Sequence, residues 1–258
     1  MSTTTTSNGT TNGAADDNKW IGKRTVRPDG ADKVTGRAAY AADTTMPGMI
    51  WAKVLRSPHP HARIKSINTA KAEAYPGVKA VVTAKDVVDF PIAKSVMLGI
   101  QDMRWMCRNV MAREKALFVG HPVAAVAATT EKIAAEACKL IEVEYEVLPF
   151  VIDVDEAMKP GAPVLHDHIT FEGKPSNIAG KLEHKLGDVA EGFAKADVVV
   201  ERSFRTQPVH QGYIEPHACL VSVSDGKATV WSSSQGQFMV RAMCAYLTGI
   251  PQNDIRAI

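Results

Sequence analysis

The chain is predicted to fold as an α+β protein, and three observations carry that prediction. A run of small and β-branched residues, HPVAAVAAT (His121 to Thr129), leads directly into a helical spacing of apolar residues and then into a strictly alternating strand. Near the other end a strand pattern, Ala228 to Ser232, passes through the polar turn Ser233, Ser234, Gln235 and Gly236 into an amphipathic helix. The composition, 45% hydrophobic and 22% charged over 258 residues, is that of an ordinary globular protein with room for one or two cores, and no internal repeat suggests a solenoid.

Taken in order, residues 1–18 (MSTTTTSNGTTNGAADDN) have almost nothing to bury and are expected to form a disordered tail. GMIWAKVLRS (Gly48 to Ser57) and HARIKSINT (His61 to Thr69) read as strands, the second with Ile64 and Ile67 among polar residues. TAKAEAYPGV reads as a short helix stopped by Pro76 and Gly77, and KAVVTAKDV (Lys79 to Val87) as a strand and its turn. Val88 to Arg113 has no period and is expected to be irregular, with Met97, Met103, Met106 and Met111 in it. A helix over Thr130 to Leu140 places Ile133, Ala134, Ala137 and Leu140 on one face. In the strand Ile141 to Val147, Ile141, Val143, Tyr145 and Val147 alternate with Glu142, Glu144 and Glu146, so one face is buried and a helix packed on a mixed sheet is expected.

DVDEAMKPGAPVLHDH (Asp153 to His168) carries the Pro and Gly of a linker, which puts a domain boundary near residue 155. A short helix (Asp188 to Ala194) and a strand (Val198 to Phe204) follow. They precede VHQGYIEPHACLVSV (Val209 to Val223) and ATVWSSSQGQFMVRAMCAYLTGIP (Ala228 to Pro251), whose helix sets Phe238, Met239, Ala242, Met243, Tyr246 and Leu247 on its apolar side.

Charge and motifs exclude several functions. Thirty basic and twenty-eight acidic residues are interspersed, which gives no electrostatic footprint for nucleic acid or a membrane surface. Cys107, Cys138, Cys219 and Cys244 are far apart and contain no C-x-x-C pair, which argues against a cluster, a zinc site or a disulfide framework and suits a reducing cytoplasm. No export signal or run of about 18 apolar residues is expected to reach a membrane. Dinucleotide, Walker and G-x-S-x-G patterns are lacking.

Among candidate site residues, Gln235 taken alone is a polar turn residue at a helix start. His210, Glu215 and His217 are residue types that bind metals, but on a continuous strand His210 falls opposite the other two, and Gly212 and Pro216 interrupt it. The pairs His59/His61 and His166/His168 lie in Pro-bearing, loop-like sequence and read as turn or interface residues. No metal ligand is assigned.

The two C-terminal runs together resemble the start of the molybdopterin-binding region in the large subunit of the xanthine dehydrogenase family of molybdenum hydroxylases, which includes aldehyde oxidoreductases and aerobic carbon monoxide dehydrogenases. RPDGADKVTGRAAYAAD (Arg27 to Asp43), AKVLRSPHPHARIKSI (Ala52 to Ile67), PGVKAVVTAKDV (Pro76 to Val87), FVGHPVAAVAA (Phe118 to Ala128) and IEVEYEVLP (Ile141 to Pro149) are similar, in the same order, to that family's hammerhead domain. The resemblance implies a hammerhead-like domain over residues 19–155 and the first part of a molybdopterin-binding domain over 156–258. It implies that Gln235 points its amide at an oxo ligand of molybdenum, with Gly236 beside the cofactor, and that His210 and Glu215 support the pocket, Glu215 within a buried polar network.

The family's GGGFG segment has no counterpart in the sequence, and the glutamate that serves as its general base is expected beyond Ile258, so no catalytic residue is assigned within these residues. The expectation is therefore a fragment, or one piece of a split large subunit, whose molybdenum–molybdopterin site is shared with the remaining part. The resemblance further implies a small-molecule substrate, with [2Fe-2S] clusters and FAD on an iron–sulfur subunit and an FAD subunit. Its rivals are a non-catalytic hammerhead-type module that docks onto partner subunits, and an unrelated α+β binding protein.

Overall fold

The computed structural model describes residues 22, 24–89, 103–167, 170–171, 173–178 and 180–258, so the tail expected over 1–18 lies outside the described residues. In the first half the elements run α1 (Gly30–Val34), β1 (Trp51–Arg56), β2 (Ala62–Asn68), α2 (Ala70–Glu73), β3 (Val78–Thr83), α3 (Met103–Val110), β4 (Lys115–Ala116), β5 (Pro122–Ala128), α4 (Glu131–Cys138) and β6 (Glu142–Val147). They make two three-stranded sheets, β1-β5-β3 and β4-β2-β6, paired antiparallel throughout.

Side-chain character decides which strand is central. β5 has no charged residue, and Val123, Ala124, Val126 and Ala128 are completely buried, so it can have neighbours on both edges and a helix above it. β6 carries three exposed glutamates and sits at a sheet edge, where charge can stay hydrated. Helix α4 starts at Thr130, whose hydroxyl accepts the Ile133 N–H at 3.2 Å, and it buries Ala134, Ala137 and Cys138. Ala137, Cys138 and Ile141 pack with Ala72, Ala124 and Val126, and Ile67 and Val143 of the other sheet close over them, so one core serves both sheets. Gly77 is required between α2 and β3. Its φ is 90°, and a Cβ there would lie 2.9 Å from the Ile133 side chain.

The second half continues with α5 (Val154–Ala157), the short pair β7 (Thr170–Phe171) and β8 (Lys174–Pro175), α6 (Val189–Lys195), β9 (Cys219–Ser224), β10 (Lys227–Ser232), α7 (Gln237–Thr248) and β11 (Ile255–Ala257). Asp153 and Asp188 cap α5 and α6 with their carboxylates. The β9–β10 hairpin turns at Asp225–Gly226, both with positive φ, a backbone twist that matches paired strands. After β10 the chain crosses over through α7, which stops at Gly249 with φ 75°, and returns as β11 parallel to β10. Ala228, Val230 and Ile255 form the small core of this unit, covered by Val240, Cys244, Ala245 and Ile250.

Several expectations are corrected. The strand–helix–strand succession does not build one mixed sheet: β5 and β6 enter different antiparallel sheets, because each finds its edge on a more distant strand. Met103–Val110 is a helix rather than irregular, while Met97 lies outside the described residues. Val198–Phe204 forms no strand, since no described strand lies alongside to accept its ladder bonds. The packed side of α7 is Val240, Cys244 and Ala245. Phe238 is 83% exposed and Met239 is also exposed, because the first turn of α7 overhangs the small sheet.

Candidate functional site

The hairpin register brings the two C-terminal runs side by side. Cys219 pairs with Ser232 at the last rung, and the backbone continues one step further with the Ser233 N–H donating to the Ala218 carbonyl at 3.4 Å. The Ser233 hydroxyl donates to the Pro216 carbonyl at 3.2 Å and accepts the Ala218 N–H at 3.4 Å. Ser233 therefore clasps the stretch after Glu215 against the turn that carries Gln235. Sequence reading placed Ser233 only as one of several polar turn residues, and the signal that could have singled it out is its position directly beyond the hairpin's final pair.

Gln235 is exposed, and its side chain makes no hydrogen bond to any described residue. Gly236 follows as the residue preceding α7. Its N–H donates to the Ser234 hydroxyl at 3.0 Å, and its carbonyl accepts the N–H groups of Met239 and Val240 at 3.0 and 3.1 Å. A Cβ on Gly236 would meet only the Met239 Cβ at 3.7 Å, an ordinary contact, so the fold itself does not demand glycine here. No side chain caps α7, and its first turn holds no acidic residue. The N-terminal dipole of a twelve-residue helix and the Gln235 amide thus present hydrogen-bond donors without a competing carboxylate.

Glu215 is half-buried, and its carboxylate accepts the Ala41 N–H at 3.4 Å, tying the run to the single turn Ala41–Asp43 near the start of the described chain. Among the described residues it joins no buried polar network, because the stretch around it is largely exposed. His210 is also exposed. Its Nδ1 accepts the Gly212 N–H at 3.1 Å, closing a local turn in which Gly212 has φ 72°. The Tyr213 ring lies 4.8 Å from the His210 ring and stacks on the His217 ring at 4.9 Å. His210 and His217 therefore flank one tyrosine instead of occupying opposite faces of a strand. Among the described residues no group of three or more His, Cys, Asp or Glu side chains could hold a metal ion.

The fold gives His59 and His61 different surroundings. His61 is buried and its ring contacts the Pro149 carbonyl at 2.6 Å, whereas His59 meets the edge of Tyr145 at 5.0 Å. His168 lies outside the described residues. Another concave feature is a small charged crevice lined by Arg108, Arg113, Glu114, Lys115 and Asp167. Its cations are met by carboxylates, Arg108 by Glu114 at 3.2 Å and Lys115 by Asp167 at 3.0 Å, which makes it a structural ion network.

The donor set at the β10–α7 turn suits an anionic or oxo-bearing group that it holds by hydrogen bonds and does not ligate. Residues 35–149 match the family model described as "Aldehyde oxidase and xanthine dehydrogenase, a/b hammerhead domain". Residues 170–258, which include His210, Glu215, Gln235 and Gly236, match the "Molybdopterin cofactor-binding domain". The chain is 38% identical to a probable xanthine dehydrogenase subunit of Bacillus subtilis over 234 residues, covering 90% of this chain and 29% of that protein. It is 36% identical to the carbon monoxide dehydrogenase large chain of Afipia carboxidovorans over 236 residues, covering 86% and 28%. The fold superposes on quinoline 2-oxidoreductase from Pseudomonas putida 86 with a TM-score of 0.78 at 30% identity, over 92% of this chain and 30% of that one. The chain thus spans under a third of the length of these relatives.

Proposed function

We infer the function from family membership: this chain belongs to the aldehyde oxidase and xanthine dehydrogenase family of molybdenum hydroxylases, and it resembles the N-terminal part of that family's cofactor-binding large subunit. The reading is a large-subunit portion of an oxidoreductase, with a hammerhead-like domain over residues 19–155 and part of the molybdopterin-binding domain over 156–258. The observation that carries it is the exposed Gln235 amide at the uncapped start of α7, inside the segment that matches the cofactor-binding model.

When bound, the molybdenum–molybdopterin group supplies the redox chemistry of substrate oxidation. Gln235 and Gly236 would hold it: the Gln235 amide N–H would donate a hydrogen bond to it and fix its orientation, and the absence of a side chain at Gly236 leaves the backbone open to approach. Ser233 keeps that turn seated on the hairpin, and Glu215 anchors the adjoining run through Ala41. The remaining part of the large subunit completes the pocket. An iron–sulfur subunit and an FAD subunit would be its electron-transfer partners, and a small molecule its substrate. No helix among the described residues is long and apolar enough to cross a membrane, and we place the enzyme in the cytoplasm.

The test is to tag the chain in its native cells, purify what accompanies it and measure molybdenum by elemental analysis. The same measurement is made on residues 1–258 expressed alone in a molybdenum-replete host. Metal is expected in the complex and not in the isolated chain. Stoichiometric molybdenum in the isolated chain would overturn the shared site, and a complex free of molybdenum would overturn the function.

A further inference from the structure

We propose that Ser233 is a positioning residue for Gln235, its hydroxyl fixing how far and in which direction the glutamine amide reaches from the β10–α7 turn. Its role rests on the functional reading above, in which that amide holds the cofactor. What it adds is a second residue whose loss acts on the cofactor only through Gln235.

Three consecutive serines end the hairpin, and each does something different. Ser232 pairs with Cys219 in the last rung of the ladder. Ser234 closes a local turn, its hydroxyl accepting the Gly236 N–H at 3.0 Å. Ser233 reaches across to the neighbouring run. Beyond the last rung the ladder cannot extend far in the ordinary way, because Pro216 has no N–H to donate. The Ser233 side chain takes over from the backbone there. The Ala218 carbonyl already accepts the Ser233 N–H at 3.4 Å, so the hydroxyl proton goes to the Pro216 carbonyl at 3.2 Å rather than to the Ala218 carbonyl at 3.5 Å. The same oxygen accepts the Ala218 N–H at 3.4 Å. One hydroxyl is thus donor and acceptor at once, which threonine can reproduce and alanine cannot. Among the described residues, no hydrogen bond except those of Ser233 joins residues 233–237 to residues 209–218.

A second constraint lies on the other side of Gln235. The Gly236 carbonyl accepts the Met239 and Val240 N–H groups, which ties Gly236 to the first turn of α7, and Val240, Cys244 and Ala245 seat that helix on the small core. Ser233 and Gly236 are therefore two fixed points with only Ser234 and Gln235 between them. Successive Cα atoms are about 3.8 Å apart, so a span this short has little slack and a shift at Ser233 passes on to Gln235. Gln235 makes no side-chain hydrogen bond to described residues that would resist it. A donor is most effective when its orientation is settled before the group it meets arrives, and a misplacement of about 1 Å can cost up to about a hundredfold in rate. Through this route, misplacing the amide costs no more than deleting it, so the effect of Gln235→Ala is the ceiling for Ser233→Ala.

The test uses the assembled, molybdenum-bearing enzyme with Ser233→Ala, Ser233→Thr, Gln235→Ala and the double variant Ser233→Ala/Gln235→Ala. Ser224→Ala, at the far end of the same hairpin, is the control. Molybdenum content, melting temperature, turnover per bound molybdenum, amide exchange at Ala218 and the paramagnetic resonance of molybdenum partly reduced with dithionite are measured on each. For Ser233→Ala the expected result is wild-type molybdenum content, a resonance shifted or broadened toward that of Gln235→Ala, and Ala218 exchange faster by about tenfold. Its turnover per bound molybdenum is expected to fall by about tenfold, and Ser233→Thr to restore both resonance and turnover. The double variant is expected to match Gln235→Ala in resonance, and in turnover to within about twofold, because both changes act through one amide. A wild-type resonance in Ser233→Ala beside an altered one in Gln235→Ala overturns the positioning role and leaves the functional reading standing. Effects that multiply in the double variant, a threonine that fails to rescue, or loss of molybdenum from Ser233→Ala overturn it equally, since the serine is then a structural residue. A wild-type resonance and turnover in Gln235→Ala overturn the functional reading of that residue, and the role of Ser233 with it.

Discussion

Replacing Gln235 with alanine separates a cofactor-facing amide from an ordinary turn residue. In the isolated chain the side chain is exposed and makes no hydrogen bond to described residues, so Gln235→Ala is expected to change stability by no more than about 0.5 kcal/mol, or roughly 1–2 °C in melting temperature for a chain of this size. In the assembled enzyme the proposed role makes the same change remove one donor from the cofactor. Loss of a preorganised donor facing developing charge costs roughly 2.7–4 kcal/mol, and a donor that faces an oxo group already present sits at or below the low end, up to about a hundredfold in turnover. Glu215→Ala is the contrast. Its single 3.4 Å bond to the Ala41 N–H ties the run to a distant turn, so its loss is expected to cost about 0.5–1.5 kcal/mol of stability and leave turnover per bound metal close to wild type. The assay measures melting temperature, molybdenum content and turnover per bound molybdenum on both variants. Wild-type turnover per molybdenum in the Gln235 variant refutes the assignment, and a large fall in its melting temperature refutes the claim that the fold makes no use of the side chain.

Two further predictions concern the frame around the site. Val126→Ala removes two methyl groups from a completely buried position of β5 beneath α4 and is expected to cost about 2 kcal/mol in urea denaturation, whereas Val200→Ala in the isolated chain stays within about 0.5 kcal/mol. Equal losses would mean that the core is misplaced. His121 is fully buried, its Nδ1 accepting the Leu117 N–H at 3.1 Å and its Nε2 donating to the Arg108 carbonyl at 2.9 Å, and burial holds its pKa below the ordinary histidine value. The unfolded chain therefore binds the proton first. Stability is complete above about pH 6.5 and declines as pH falls below it, by at most about 1.4 kcal/mol per pH unit, a slope that His121→Gln should abolish in denaturation series between pH 7.5 and 5.5. A wild-type protein that grows more stable over that interval contradicts the buried neutral histidine.

Most of what is local in this protein was legible in its residues. The apolar spacing of Ile133, Ala134 and Ala137 announces α4, the Glu/Val alternation announces β6, and the turn from Ser233 to Gly236 between a strand and a helix lies where expected, because hydrogen bonding within a helix and alternation along a strand are written within a few residues. The ordered runs from Arg27 to Pro149 likewise pointed to the family that the comparisons bear out. Partnership was not legible. The separation of β5 from β6 into different sheets, the bond from Glu215 to Ala41 and the Ser233 clasp on Pro216 join residues whose neighbours say nothing about one another. Val198–Phe204 shows the limit most clearly. Its residues favour a strand, but a strand exists only when a second edge accepts its backbone bonds, and only the tertiary structure reveals that no described segment supplies one.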